Sequence, residues 1–178
     1  MAGPFYDQRP GTSGLRKSTR FQTPHYLATF IQAVFDVCPL DGEIVLGGDG
    51  RFFSEPAAQE ILRIAAANGA KRAVMGQGGL LSTPAVSHLI RSRGAWGGIA
   101  LSASHNPGGP DGNFGVKING PNGAPAPEDV TEAILARTRQ ITEYWIFEAE
   151  SLDLAQIGTQ QPGPLAVEWS IRPPTMGT

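Results

Sequence analysis

The sequence predicts an α/β fold, a three-layer α/β/α sandwich around a mixed, largely parallel β-sheet. Short apolar segments alternate along the chain with amphipathic segments of helical period, and short glycine-containing connections separate them. Strands that alternate with helices join a parallel sheet whose faces the helices cover. The 23 glycines and 15 prolines cluster in a few loops, which is typical of punctuated α/β structure and not of disorder.

The predicted elements follow a loop-like segment of about twenty residues. The first helix has apolar residues at helical spacing from Leu27 to Phe35, with Thr23 as its cap and Pro24 as its first residue. The later segments are a strand at 43–48, a helix from Ser54 to Asn68, a strand at 71–76, a helix at 83–94, strands at 97–103 and 114–119, and a helix at 127–141. After about residue 150 the helical period fades into an extended strand and an irregular end.

Composition and charge exclude several function classes. The net charge is −2 and there is no basic run, so neither a nucleic-acid partner nor an anionic membrane surface is expected. No apolar run is long enough to span a bilayer, and the first residues lack the layout of a signal peptide. The single cysteine, Cys38, excludes an internal disulfide and fits a reducing compartment. We therefore expect a cytoplasmic location, while the oligomeric state is left open.

The stretch LSASHNPGGPDGNFGVK, residues 101–117, follows a predicted buried strand. In parallel sheets the ligand site lies beyond the carboxyl ends of the strands, where the loops at 47–51, 76–82 and 102–112 meet. Ser104 offers a hydroxyl, His105 an imidazole and Lys117 an ammonium group, while the glycines free backbone N–H groups to bind an anion. This combination suits phosphoryl transfer.

Two other interpretations of the same loop remain. Serine, asparagine, proline and glycine are ordinary turn residues, so the stretch can also be a plain turn. Acyl transfer is less favoured, because no G-x-S-x-G pattern surrounds Ser104 and only three histidines are available for a triad. The residues alone do not decide between a catalytic loop and a turn.

The stretch SASHNPGGPDGNFGVKIN closely resembles the catalytic phosphoserine loop of the α-D-phosphohexomutases. DQRPGTSGLRKST (7–19) resembles the N-terminal active-site segment of that family, and VLGGDGRFFS (45–54) resembles its first glycine loop. The resemblance continues to about Glu168 and thus covers nearly the whole chain. The long GGPDGNFGVK loop and GTSGLRK are most similar to the glucose-specific, phosphoglucomutase branch, and less so to enzymes acting on mannose or glucosamine phosphates.

The resemblance implies a phosphoryl-transfer activity on sugar phosphates. The matching serine, Ser104, would carry a phosphate and give it to the sugar, forming a bound glucose 1,6-bisphosphate. Return of the other phosphate would interconvert glucose 1-phosphate and glucose 6-phosphate. The phosphate on Ser104 would also be a ligand of Mg²⁺. The family fold agrees with the three-layer α/β/α sandwich.

The resemblance also assigns roles to the neighbouring residues. Lys117 matches the proposed general acid/base, and His105 would orient the loop or assist proton movement. Arg16 matches an active-site arginine whose fork suits two phosphate oxygens, with Thr12 and Ser13 as further phosphate-binding residues. The adjacent Lys17 has a functional and a surface interpretation of about equal weight.

The chain departs from the family in its extent, because the family's enzymes have four domains and only the first is matched. The Mg²⁺ loop of the second domain needs three aspartates, whereas the GGDGR stretch (47–51) has only Asp49 and is interpreted as a structural turn with Arg51 at most facing the cleft. Sugar reading and most phosphate binding belong to the third and fourth domains. We expect the isolated chain to have little or no mutase activity, and a non-catalytic sugar-phosphate-binding or interaction remnant is the alternative.

The domain organisation follows from this comparison of motifs. Residues 1–150 are expected to form the α/β/α domain, and 151–168 the start of a connection towards a second domain. Residues 169–178 no longer resemble the family and are expected to be an aberrant tail. A one-base shift of reading frame near Glu168 is a hypothesis for that tail.

Overall fold

Seven strands form one mixed sheet in the computed structural model, which describes residues 3–11, 14–161 and 164–171. The sheet order is β1-β5-β4-β2-β3-β7-β6. The strands are β1 Leu15–Lys17, β2 Gly42–Gly48, β3 Ala70–Leu80, β4 Gly97–Leu101, β5 Phe114–Asn119, β6 Gly158–Gln160 and β7 Ala166–Ile171. The helices are α1 Tyr26–Val37, α2 Ser54–Ala67, α3 Thr83–Arg93 and α4 Glu128–Thr138, and a 3₁₀ turn spans Thr19–Gln22.

The centre of the sheet is parallel and its margins are antiparallel. Strands β4, β2, β3 and β7 are neighbours in this order and run in the same direction. Strand β5 is antiparallel to both β4 and β1, and β6 is antiparallel to β7. Helices α2 and α3 connect parallel strands, as crossover connections must. The predicted mixed sheet with its parallel core is confirmed.

Alternate residues of β2 face different helices, which defines the layers. Ile44 and Leu46 belong to the larger core cluster, together with buried side chains of α1, α2 and α4. Val45 points to the other face and packs in a second cluster with Val86 and Ile90 of α3. Helices therefore cover both faces of the sheet, and the predicted three-layer α/β/α sandwich is confirmed.

Local sequence signals predicted both ends of α3 but not the start of α1. The Ser82 hydroxyl caps α3 by accepting a hydrogen bond from the Ala85 N–H at 3.3 Å, and Gly94 ends it in the left-handed conformation with φ 61°. For α1 the predicted cap was wrong, because the helix begins at Tyr26 after His25, whose φ of 67° is left-handed. The Thr23 carbonyl accepts from the Tyr26 N–H in a separate turn, so Thr23 precedes the helix.

Several strands differ from their predicted bounds. Strand β1 lies inside the segment predicted to be loop, and β3 continues to Leu80 through most of the predicted 76–82 loop. Strands β6 and β7 form an antiparallel pair beside β3, so 158–160 and 166–171 lie in the sheet. The domain boundaries at 150 and 168 stay predictions, and residues 172–178 of the predicted tail lie outside the described residues. Across the described ranges, no helix is both long and apolar enough to cross a membrane.

Helix α1 contributes most to the larger core, since all residues from Tyr26 to Phe35 are buried. Phe30 is 0% exposed, so replacement by alanine removes a complete buried ring and leaves a cavity. We expect Phe30→Ala to lower the free energy of unfolding by about 3–5 kcal/mol, measured by urea denaturation. Phe52, which is 53% exposed, is the matched control, and Phe52→Ala should change it by no more than about 0.5 kcal/mol. Equal losses in the two variants would contradict this packing.

Candidate active site

Two neighbouring antiparallel strands place the basic side chains of the site on one face of the sheet. Leu15 of β1 and Val116 of β5 are paired and buried in the larger core. Because side chains alternate along a strand, Arg16 and Lys117 point to the opposite face. Helix α3 packs against β2 and β4 on that face. Arg16 and Lys117 line a cavity on the same face of the sheet.

The cavity has a volume of about 390 Å³, within the usual range for small-molecule sites. It is lined by Arg9, Gly11, Gly14, Leu15, Arg16, Ser102, Ala103, Ser104 and Lys117. Among these described residues there are three cationic side chains and no carboxylate, so the cavity favours an anionic ligand. Thr12 and Ser13, the other predicted phosphate-binding residues, lie outside the described residues.

Ser104 and Lys117 are in direct contact at the edge of this cavity. The Lys117 Nζ donates a hydrogen bond to the Ser104 Oγ at 2.9 Å. Ser104 is exposed and has a φ of 56°, in the left-handed region that is unfavourable for most residues other than glycine. The Lys117 amino group is therefore a proton-transfer partner within hydrogen-bond distance of the Ser104 hydroxyl, the predicted phosphate acceptor.

The loop between β4 and β5 is closed by its own hydrogen bonds. The Asn106 side chain donates to the Ala103 carbonyl at 2.7 Å, and the Asn113 N–H donates to the Pro107 carbonyl at 2.7 Å. Gly115 permits close contact at the base of the loop, because a Cβ there would lie 2.4 Å from the Ser102 carbonyl oxygen. These contacts hold the serine over the carboxyl end of β4.

His105 is not brought to the cavity with Ser104, Lys117 and Arg16. Its side chain is exposed and is not among the residues that line the cavity. In the described parts of the chain its ring forms no hydrogen bond. The proposed role of His105 in orienting the loop or moving a proton stays a prediction.

Lys17 points away from the cavity, on the face of β1 that carries Leu15. Its Nζ lies 4.0 Å from an Asp7 carboxylate oxygen, which also accepts hydrogen bonds from Arg20 and from the Tyr26 hydroxyl. Burial alone would raise the pKa of Asp7, but hydrogen bonding to Arg20 and the Arg20 and Lys17 charges hold that pKa below its usual value. The surface interpretation of Lys17 therefore agrees with its position.

Arg9 is a cavity residue that the sequence analysis did not identify. Its guanidinium forms an exposed ion pair with Glu132 of α4 at 3.2 Å, while the residue also lines the cavity. The available signal was its place in the DQRPGTSGLRKST segment, two residues before the glycine that begins GTSG. Arg51 was expected at most to face the cleft. It is not among the residues that line the cavity, and 10% of its side chain is exposed.

The described residues do not fit a complete Mg²⁺ site. Mg²⁺ prefers several oxygen ligands, usually including one or two carboxylates. Ser104 offers one oxygen, and its nearest charged neighbour is the cationic Lys117. No group of three or more His, Cys, Asp or Glu side chains that could hold a metal is found in residues 3–11, 14–161 and 164–171. This set of donors favours a phosphate and not a bare divalent cation.

Comparison with known proteins agrees with this geometry. Residues 7–145 match the family model described as phosphoglucomutase/phosphomannomutase, alpha/beta/alpha domain I. The phosphoglucomutase of Aspergillus fumigatus is 51% identical over 169 residues, which are 93% of this chain and 30% of that protein. The phosphoglucomutase of Schizosaccharomyces pombe is 50% identical with the same coverage of both chains.

This chain also matches about a third of the length of a related solved structure. The exocytosis-sensitive phosphoprotein pp63/parafusin, a phosphoglucomutase from Paramecium in an open form, has a TM-score of 0.85 and 41% sequence identity. The match covers 93% of this chain and 33% of that one, so the chain spans about a third of the length of the relatives it matches. The chain belongs to the phosphoglucomutase/phosphomannomutase family, in which it corresponds to the α/β/α domain I.

Proposed function

We propose that this chain is the phosphoserine-bearing part of a phosphoglucomutase, which interconverts glucose 1-phosphate and glucose 6-phosphate through glucose 1,6-bisphosphate. The observation that carries the proposal is the 2.9 Å contact between Lys117 and the Ser104 hydroxyl, at the edge of a cavity with three cationic side chains. The relatives named phosphoglucomutase support the choice of glucose phosphates as substrates.

The transfer step uses groups of this chain at the serine. When Ser104 accepts a phosphoryl group, the Oγ–P bond forms as the bond between phosphorus and the donor's sugar oxygen breaks. Lys117 acts as the base that takes the Ser104 hydroxyl proton and gives it to the sugar oxygen, which leaves as a hydroxyl. In the reverse step Lys117 takes the proton of the attacking sugar hydroxyl, the new bond to phosphorus forms as the Oγ–P bond breaks, and Lys117 gives that proton to Oγ. Each direction exchanges one ester bond for another, so little net energy is required.

Arg16 is the phosphate-binding side chain in this proposal. Its planar fork can donate two hydrogen bonds to a phosphate, which a lysine cannot reproduce. We expect Arg16→Ala to weaken binding of glucose 6-phosphate about 10- to 100-fold, the loss of hydrogen bonds from a charged donor, with Arg16→Lys intermediate. Titration calorimetry measures this change. Arg72 is exposed and pairs with Glu43 at 3.5 Å, so Arg72→Ala should leave the affinity unchanged. Equal weakening by both variants would contradict the assignment.

In this proposal Ser104 contributes one ligand to Mg²⁺. When bound, the ion would neutralise charge on the phosphoryl group, with an oxygen of the Ser104 phosphate as one ligand. We propose that its carboxylate ligands come from outside the described residues, which contain no suitable cluster. A cytoplasmic location is also proposed, and the relative from Bromus inermis named phosphoglucomutase, cytoplasmic, supports it.

The direct experiment is to incubate the chain with glucose 1,6-bisphosphate and measure its intact mass. We expect one phosphoryl group per molecule, because this single transfer uses only Ser104 and Lys117, whereas the full mutase cycle is not expected of the isolated chain. The alternative, a sugar-phosphate-binding or interaction remnant without chemistry, expects bound ligand but no covalent phosphate. Calorimetric binding of glucose 6-phosphate without any phosphorylation would therefore replace the catalytic proposal by that alternative.

A further inference from the structure

Both backbone polar groups of Ser104 are held by side chains and not by the sheet. Its N–H donates to the Ser102 Oγ at 3.0 Å, and its carbonyl accepts from the Arg51 Nη2 at 3.1 Å. The left-handed conformation of Ser104 is unfavourable for a non-glycine residue. Such a conformation persists only where neighbouring groups stabilise it, and the hydrogen bonds with Ser102 and Arg51 provide this stabilisation.

Asp49 fixes the orientation of Arg51, one of the two side chains that contact Ser104. Its Oδ1 accepts from Arg51 Nε at 2.9 Å and its Oδ2 from Arg51 Nη2 at 2.7 Å, a bidentate pair. The backbone N–H of Arg51 also donates to Asp49 Oδ1 at 3.3 Å. The guanidinium that reaches the Ser104 carbonyl is therefore held by Asp49.

Asp49 itself is fixed at the end of β2. Its N–H donates to the Leu101 carbonyl at 3.1 Å, which joins the ends of β2 and β4. Burial alone would raise the pKa of Asp49, but hydrogen bonds from Arg51 and Ser102 and the Arg51 charge hold that pKa below its usual value. The carboxylate is therefore charged at neutral pH and remains an acceptor for Arg51.

Arg51 also reaches the other end of the same loop. Its Nη1 donates to the Asn113 carbonyl at 2.7 Å, directly before β5 begins. One side chain thus joins the start of the loop at Ser104 to its return at Asn113. With a side chain only 10% exposed, Arg51 is well shielded from water, which strengthens these charge-assisted bonds.

We propose that Asp49 and Arg51 are positioning residues for Ser104. Asp49 orients the Arg51 guanidinium, Arg51 holds the Ser104 carbonyl, and the Ser102 hydroxyl holds the Ser104 N–H. Together they keep Ser104 in the left-handed conformation, with its Oγ at Lys117. The GGDGR turn therefore has a part in the transfer step beyond ending a strand. The kinetic part of this inference depends on the proposed function, whereas the conformational part does not.

The first test is the backbone conformation of Ser104 in solution. Asp49→Asn replaces one acceptor oxygen by a donor, and Ser102→Ala removes the acceptor of the Ser104 N–H. In both variants we expect the Ser104 amide resonance to shift and its Cα and Cβ shifts to lose their left-handed values, while the rest of the spectrum is retained. Asp41→Asn is the matched control, because Asp41 pairs with Lys71 at 2.9 Å on the exposed surface. Ser104 shifts that stay unchanged in Ser102→Ala would overturn the proposal, even if Asp49→Asn does not fold.

The second test is the rate of phosphoryl incorporation from glucose 1,6-bisphosphate. A reacting group displaced by about 1 Å can lose about 10²-fold in rate, so a loss of this order is expected for Asp49→Asn and Ser102→Ala. Ser102→Thr keeps the hydroxyl and should recover most of the rate. A normal rate in Asp49→Asn with altered Ser104 shifts would also overturn positioning. Absence of phosphorylation in the wild-type chain would instead refute the proposed function, while the resonance test would still report on the positioning contacts.

Discussion

Ser104→Ala is expected to abolish covalent phosphorylation of the chain by glucose 1,6-bisphosphate. The hydroxyl of Ser104 is the acceptor at the edge of the cationic cavity, and alanine offers no atom that can form the ester bond. Intact mass spectrometry after incubation should show one phosphoryl group on the wild-type chain and none on the variant.

A matched control separates loss of the acceptor from loss of the fold. Ser92 is exposed on α3, and its hydroxyl donates a local hydrogen bond to the Leu89 carbonyl at 3.4 Å. Ser92→Ala should incorporate phosphate at the wild-type rate. Undiminished incorporation in Ser104→Ala would show that another residue is the acceptor, and the assignment of the loop would be wrong.

Lys117→Met is expected to lower the rate of phosphoryl incorporation about 10²- to 10⁴-fold, the usual contribution of a positioned general acid or base. Methionine keeps much of the length of the side chain but loses the Nζ that contacts Ser104 Oγ at 2.9 Å. The time course of incorporation measured by mass spectrometry gives the rate. The unfolding midpoint should change little, because the lysine side chain lies at the cavity and not in the core.

Two further variants separate proton transfer from charge. Lys117→Arg keeps a positive charge but cannot act as a base, since arginine does not deprotonate in proteins. It should remain as slow as Lys117→Met if proton transfer is the essential role, and recover if charge alone matters. Lys71→Met is the surface control, because Lys71 pairs with the exposed Asp41. A wild-type rate in Lys117→Met would contradict the role of this lysine.

The central architecture could be predicted because its determinants are local and periodic. Strand β5 was predicted at its observed bounds, and α3 was predicted with its cap, early proline and terminal glycine. In the structure, alternation along β5 turns Val116 into the core and Lys117 to the cavity. The placement of loops beyond the parallel strands directed attention to Ser104.

The remaining features depend on contacts between distant parts of the chain. Strands β1 and β6 have three residues each, too few for a periodic pattern, and they exist because β5 and β7 pair with them. Arg51 meets the Asn113 carbonyl 62 positions away, which no local signal near GGDGR reveals. The left-handed φ of Ser104 was also unpredictable, since glycine is the residue that usually marks such a conformation.

Transfer of the phosphoryl group from Ser104 to a sugar tests the central claim most directly. The chain is first phosphorylated with glucose 1,6-bisphosphate, separated from it, and then mixed with glucose 6-phosphate. Mass spectrometry follows the protein, and phosphorus NMR follows the small molecules. We predict that in this single turnover the protein loses its phosphoryl group as an equal amount of glucose 1,6-bisphosphate forms. Phosphate that stays on the protein, or that is released only as inorganic phosphate, would contradict it.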